Sequence, residues 1–289
     1  MDAGNLKYQF AKLNIAEKLI AINIVVFIVN GLLGALGGIY LVQWFELPKD
    51  FFGFIQQPWS LVTYAFFHAD FWHILWNMVM LYFSARIFLN LFGTRRFVNV
   101  YFLGIIFGGL LFMLSYNIFP TLVGLNTALI GASAGVSAVL IFVCAYIPNQ
   151  DVRVFFFTIK LWHVGLVFVL LDLIQISSGS NIGGRLAHLG AAFFGYIYAR
   201  QLLGGRDIGE GFSRFLDSVG NLFKPKEAKK APLKTVYRKQ KANAGPSVNY
   251  DQETRQRKID SILDKISKSG YESLSKAEKD FLFKAGKED

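Results

Sequence analysis

Residues 19–42 read LIAINIVVFIVNGLLGALGGIYLV, twenty-four residues without a single charge. A helix crossing a bilayer needs about 20 mostly apolar residues, so this run predicts a membrane span. It is longer than the roughly 7–15 apolar residues of a signal-peptide core, and no small-residue cleavage site follows it, so a retained span is expected. Five further runs repeat the pattern, at about 71–92, 98–118, 128–147, 154–176 and 182–203. Composition agrees. Hydrophobic residues make up 53% of the chain and charged residues only 17%, against roughly 25% charged in an ordinary soluble domain.

Charge gives the expected orientation. Lys7, Lys12 and Lys18 precede the first span, Arg95 and Arg96 separate the second from the third, Arg153 lies between the fourth and fifth, and a dense basic set follows the sixth. These segments alternate with loops holding only Lys49 and Arg185, which by the positive-inside rule predicts both termini in the cytoplasm. The formal net charge of +10 is concentrated after Gly204, which argues against nucleic acid as partner. The single Cys144 sits in an apolar run, so neither a disulfide framework nor a Cys-based metal site is expected.

Four regions follow: an N-terminal cytoplasmic segment at 1–18, a six-span domain at 19–203, a basic flexible linker at 204–250, and a small cytoplasmic helical hairpin at 251–289. The linker reading rests on a Lys-rich stretch from Phe223 to Tyr250 with scattered Pro, Gly and Ala. In the hairpin, Ile259, Ile262, Leu263 and Ile266 recur at helical spacing, Gly270 is a stop signal, and Ser275 with Glu278 fits a capping box. The basic tail suits an anionic lipid surface, with a docking module for a cytoplasmic partner as the second reading. The outer loop Trp44–Ser60 mixes aromatics with charges, as at a membrane interface.

Polar residues inside spans are costly and so mark functional candidates. His73 and Asn77 are four apart and share a helix face, with His68 five residues earlier. The spacing is wrong for paired helical zinc ligands, and no metal or cofactor is expected. Singly, such residues read as interhelical glue. The fourth span opens with Gly131-Ala-Ser133-Ala-Gly-Val-Ser137, and the sixth carries Ala187-His188. Small residues on both spans permit close approach, which would bring Ser133 and His188 together as nucleophile and general base, with His73 and Asn77 as oxyanion donors.

These motifs, in this order, resemble the rhomboid protease family: His68, His73 and Asn77 in the second span, Gly131 and Ser133 opening the fourth, and Ala187-His188 in the sixth. The resemblance implies an all-α, six-span rhomboid-like bundle and a serine endopeptidase that cuts in or near the transmembrane segment of membrane-protein substrates with locally unstable helices. It implies a Ser133–His188 dyad without a carboxylate, an oxyanion hole of His73, Asn77 and the Ser133 backbone, and supporting or water-holding roles for His68 and Gly131. Asp172 then reads as a structural residue. Ser177–Gly184 becomes a candidate lid. A bacterial cytoplasmic membrane is the expected location. A non-catalytic client-binding relative is the main alternative, and a transporter the weaker one. One departure stands out: the position four after the nucleophile is commonly an aromatic that stacks on the catalytic His, and here it is Ser137, with Phe193 or Phe194 as substitutes.

Overall fold

A computed structural model describes residues 3–125, 127–154, 156–179, 181–222 and 250–285. The chain divides into two compact units, Met1–Pro225 and Lys226–Asp289.

Among the described residues, the first unit is a bundle built on six helices: α1 (Ile15–Gly37), α2 (Phe71–Leu91), α3 (Thr94–Ile118), α4 (Ser133–Tyr146), α5 (Leu161–Ser177) and α6 (Ile182–Leu203). The fold is the expected all-α membrane bundle. Three of these helices, α1 to α3, are long and apolar enough on their own to cross a bilayer. Local chemistry sets their ends. Asn14 and Glu17 form a reciprocal capping box at the start of α1, and Gly38 closes it with φ 66°. The Asp70 side chain caps α2 by accepting from the His73 backbone N–H at 2.9 Å. Exposed Val25, Ile28, Leu32 and Leu36 on α1 suit hydrocarbon instead of water.

Helix α4 forms the centre, with Ala134 through Cys144 all buried. It is also short. Its 14 residues span about 21 Å at 1.5 Å per residue, roughly 9 Å less than a hydrocarbon layer of about 30 Å. The expected fourth span starting near 128 is thus corrected. Ala128–Leu129 form a strand, β2, pairing antiparallel with β1 (Leu47–Pro48), and helix begins only at Ser133. The strand pair ties the aromatic outer loop to the approach to α4. Lys49 Nζ adds bonds to the Val123 and Leu125 carbonyls at 2.8 and 2.5 Å.

The fifth span is corrected in the same sense. Asp151–Val154 and Phe157–Lys160 form a hairpin, β3–β4, with Asp151 opposite Lys160, so α5 starts at Leu161. Charged and β-prone residues here satisfy their backbone in a ladder at the helix end.

Glycines set the close packing of α3, α4 and α6. A Cβ placed on Gly108 would fall 2.7 Å from the Ala187 carbonyl oxygen and 2.8 Å from the Ala134 Cβ. One placed on Gly195 would strike the Ala138 carbonyl.

After α6, residues Glu210–Leu222 form α7, so the expected flexible stretch 204–250 is not uniformly a linker. Asp207 accepts from Arg96 Nε at 2.8 Å and from the Tyr198 hydroxyl, and Ser213 Oγ donates to Asn99 at 2.9 Å. These bonds hold the post-α6 segment to the start of α3. The Lys-rich linker read from Phe223 onward lies outside the described residues as far as 249.

The second unit contains α8 (Tyr250–Ser269) and α9 (Lys276–Ala285), a helical hairpin. Gly270 breaks the first helix at φ 75°. The capping box is formed: Ser275 N–H donates to Glu278 at 2.7 Å, and Glu278 N–H donates to Ser275 Oγ at 3.3 Å. Ile262 and Leu274 are the buried apolar pair.

Candidate active site

Ser133 is the first residue of α4. The first N–H groups of a helix have no intrahelical acceptor and carry partial positive charge, so the Ser133 end of α4 is suited to a developing negative oxygen. The turn before it depends on Gly131, whose φ is +117°. Its N–H donates to the Tyr64 carbonyl at 3.0 Å. A side chain there is excluded for a second reason. A Cβ would lie 2.7 Å from His73 Nε2 and 3.6 Å from Ser133 Oγ, so the imidazole of His73 occupies the space above Gly131.

His73 is brought there by the first turn of α2. Its Nδ1 accepts the Ala69 backbone N–H at 3.3 Å. A neutral imidazole that accepts at one nitrogen carries its proton on the other, so Nε2 is the donor, and it faces the Gly131–Ser133 turn. Asn77, one helical turn on, is 7% exposed and uses its Nδ2 to donate to the His73 carbonyl at 2.8 Å. That leaves one amide hydrogen available.

His68 packs edge-on against His73 with ring centroids 5.0 Å apart. Its Nε2 accepts the Ala132 backbone N–H at 3.4 Å. A ring nitrogen that accepts carries no proton of its own. His68 therefore buttresses the turn ahead of Ser133, and it is not among the residues lining the adjoining cavity.

That cavity has a volume of about 420 Å³, and its wall includes Ser133, His188, His73 and Asn77. Four sequence-derived candidates from three helices thus meet at one space. Its apolar side is formed by Trp72, Trp76, Met80 and Phe168.

The surroundings of His188 depart from expectation. Its Nδ1 lies 3.1 and 3.2 Å from the two carboxylate oxygens of Asp172. The reading that no carboxylate adjoins His188 is therefore corrected: Asp172, 2% exposed, faces it from α5. Asp172 also accepts from Arg185 at 2.9 Å, and Arg185 donates to Gln175 as well. The proposed lid is corrected too. Helix covers Ser177 and resumes at Ile182, so only a short turn remains, with Ser180 outside the described residues. Asn181 caps α6 by accepting from Gly184 N–H at 3.2 Å, and the Arg185 bonds fasten the two helices across the turn.

Ser137 does not leave a gap. It is fully buried and donates to the Ser133 carbonyl at 2.7 Å. The aromatic beside His188 is Phe168, with centroids 6.1 Å apart. The expected substitutes do not serve: Phe194 stacks on Phe107 at 4.5 Å, and Phe193 is 68% exposed.

Residues 55–204, more than half of the chain, match the profile described as Rhomboid domain. The chain belongs to the rhomboid family. Among curated relatives, it is 29% identical over 160 residues to RHOMBOID-like protein 12, mitochondrial, of Arabidopsis thaliana, covering 51% of this chain and 47% of that protein. It is 32% identical over 132 residues to Rhomboid-like protease 3 of Toxoplasma gondii, covering 45% and 49%. With Rhomboid protein 1, mitochondrial, of Saccharomyces cerevisiae (strain ATCC 204508 / S288c), identity is 28% over 165 residues, covering 55% and 45%. This rhomboid thus spans about half the length of the curated relatives it matches. Residues 246–285, which include the second unit's hairpin, match a family of unknown function (DUF6576). An integral membrane location stands. The expected bacterial membrane has no support from these relatives, two of which are named as mitochondrial.

Proposed function

We propose that this rhomboid is an intramembrane serine endopeptidase that hydrolyses a peptide bond in or near the transmembrane segment of membrane-protein substrates. The observation that carries this reading is the convergence of Ser133, His188, His73 and Asn77 on one cavity. Ser133 Oγ attacks the scissile carbonyl carbon while His188 Nε2 takes its proton. The resulting oxyanion is held by the Ser133 backbone N–H, the His73 Nε2–H and the free Asn77 amide hydrogen. As the C–N bond breaks, His188 returns the proton to the leaving amine. Water, deprotonated by the same imidazole, then attacks the acyl ester and frees Ser133.

Water would reach the acyl ester through the cavity that opens at the N-terminal end of the short α4, where Ser133 lies. The aromatic wall of Trp72, Trp76 and Phe168 fits an apolar substrate segment. A helical amide is shielded by its own hydrogen bonds, so helix-destabilised segments are the expected substrates. Both termini on the cytoplasmic side, and a basic tail lying on anionic lipid, complete the proposal. Exposed Phe215, Val219 and Leu222 on α7 favour that surface contact.

The test is cleavage of co-reconstituted single-span substrates in liposomes. Wild type is expected to cut, and Ser133→Ala and His188→Ala are expected not to. Cleavage that survives Ser133→Ala overturns the reading, and a wild type that binds a broad substrate panel without cutting it returns the non-catalytic alternative.

A further inference from the structure

We infer that Asp172 is a positioning residue for His188, so that the working unit is Ser133–His188–Asp172 instead of a pair. The inference rests on the protease reading above and goes beyond it. Both carboxylate oxygens face His188 Nδ1, at 3.1 and 3.2 Å. An ionised carboxylate only accepts hydrogen bonds, so Nδ1 must be the donor. A neutral imidazole with its proton on Nδ1 keeps its lone pair on Nε2, the nitrogen left to take a proton from Ser133. Asp172 thus selects the tautomer that a general base needs and fixes the ring plane, the role of the acid in a three-residue serine hydrolase.

The competing explanation is that Asp172 exists only to neutralise Arg185. The geometry disfavours it. Arg185 reaches Asp172 through one nitrogen, at 2.9 Å to Oδ1, and spends another on Gln175. Its buried Nε has no partner among the described residues. Arg–carboxylate pairs frequently form two parallel bonds, and this one does not. The Arg185 side chain is 24% exposed and lines the cavity, while that of Asp172 is 3% exposed. A guanidinium with a route to water has less need of a buried acid than a buried acid has of partners. Arg185 therefore balances the charge of a carboxylate whose two oxygens are turned to the histidine.

The antiparallel α5–α6 pair makes this contact a matter of register. Asp172 and His188 each lie eight residues from Ser180, and Gln175 and Arg185 each lie five residues from it. Two helices folded back on one short turn place such mirror positions opposite each other.

The experiment uses the full-length protein in liposomes. Asp172→Asn is expected to lower kcat by about 10²–10⁴-fold, with KM within about twofold and the same loss in the rate of Ser133 labelling by a fluorophosphonate. Asp172→Glu is expected to recover at least about tenfold of that loss. In the double variant Asp172→Asn with Arg185→Gln, the low kcat is expected to persist, because a stranded Arg185 is not its cause. A kcat within about threefold of wild type in Asp172→Asn, or recovery in the double variant, overturns the inference. If Asp172→Asn does not fold, ¹⁵N NMR of His188 in the otherwise wild-type protein decides. Nδ1–H is expected, and Nε2–H overturns the inference. That readout is independent of turnover, so cleavage that does not require Ser133 sinks the protease reading while the tautomer still tests Asp172.

Discussion

Replacing Gly131 by Ala adds one methyl group to the turn before Ser133, and the structure makes its consequence specific. The new Cβ would sit 2.7 Å from His73 Nε2 and 2.9 Å from its Cε1, well inside contact distance. The imidazole must move, and with it the Nε2–H donor aimed at the site. Loss of one oxyanion donor costs about 10²–10³ in kcat, or about 2.7–4 kcal/mol. The backbone adds a separate cost. A non-glycine residue at φ +117° is strained by about 1–3 kcal/mol, which appears as lower stability. The two effects separate in a double-mutant cycle with His73→Ala, read by kcat in liposomes and by thermal unfolding in detergent. If Gly131→Ala acts through His73, the double variant is no slower than His73→Ala, because the donor is already gone. Its stability should still fall by the strain. A Gly131→Ala protein with kcat within about threefold of wild type, or a double variant whose two losses multiply, would mean that Gly131 does not act by keeping space for His73.

Two further outcomes are expected. Gly195→Val places its side chain against the Ala138 carbonyl and should destabilise the α4–α6 contact by about 1–3 kcal/mol, measured as a lower unfolding temperature in detergent. In the C-terminal hairpin, bonds from the Ser275 N–H and hydroxyl and from Lys265 lower the Glu278 carboxyl from 4.5 to about 2. A group whose folded value is depressed contributes its stability above its unfolded value and loses it as pH falls through the folded one. Amide exchange at Phe281–Phe283 should therefore be pH-independent in protection above about 4.5 and lose protection between there and about 2, with the effect absent in Glu278→Gln.

Much of the bundle was legible because hydrocarbon imposes a simple rule: long uncharged runs become helices. The ends were less so. Residues 128–132 and 154–160 are apolar enough to extend a span by composition, but a two-residue strand pair and part of a hairpin lie there instead. Ser133, His188, His73 and Asn77 were found as a group because each is a polar residue where lipid should exclude it. His68 was found for the same reason, although its contact is to a backbone N–H and not to the cavity. Asp172 was legible as a bundle-facing acid, but its contact with His188 was not. Its signal was present in the mirror spacing about Ser180, which requires reading α5 and α6 as one folded-back pair. Helix α7 was also readable, since Phe212, Phe215, Leu216 and Val219 fall at i, i+3, i+4 and i+7, but the basic character of the surrounding tail masked it. That Phe168 from the fifth helix, and not a neighbour in the sixth, lies beside His188 depends on helix rotation, which periodicity in a uniformly apolar segment does not encode.

The proposed mechanism makes Ser133 a nucleophile activated by His188. It is tested most directly by treating the full-length protein in liposomes with a peptidyl fluorophosphonate and mapping the adduct by mass spectrometry. One adduct on Ser133 is predicted, forming at least about 10²-fold more slowly in His188→Ala. An unlabelled Ser133, or labelling at the same rate without His188, would contradict it.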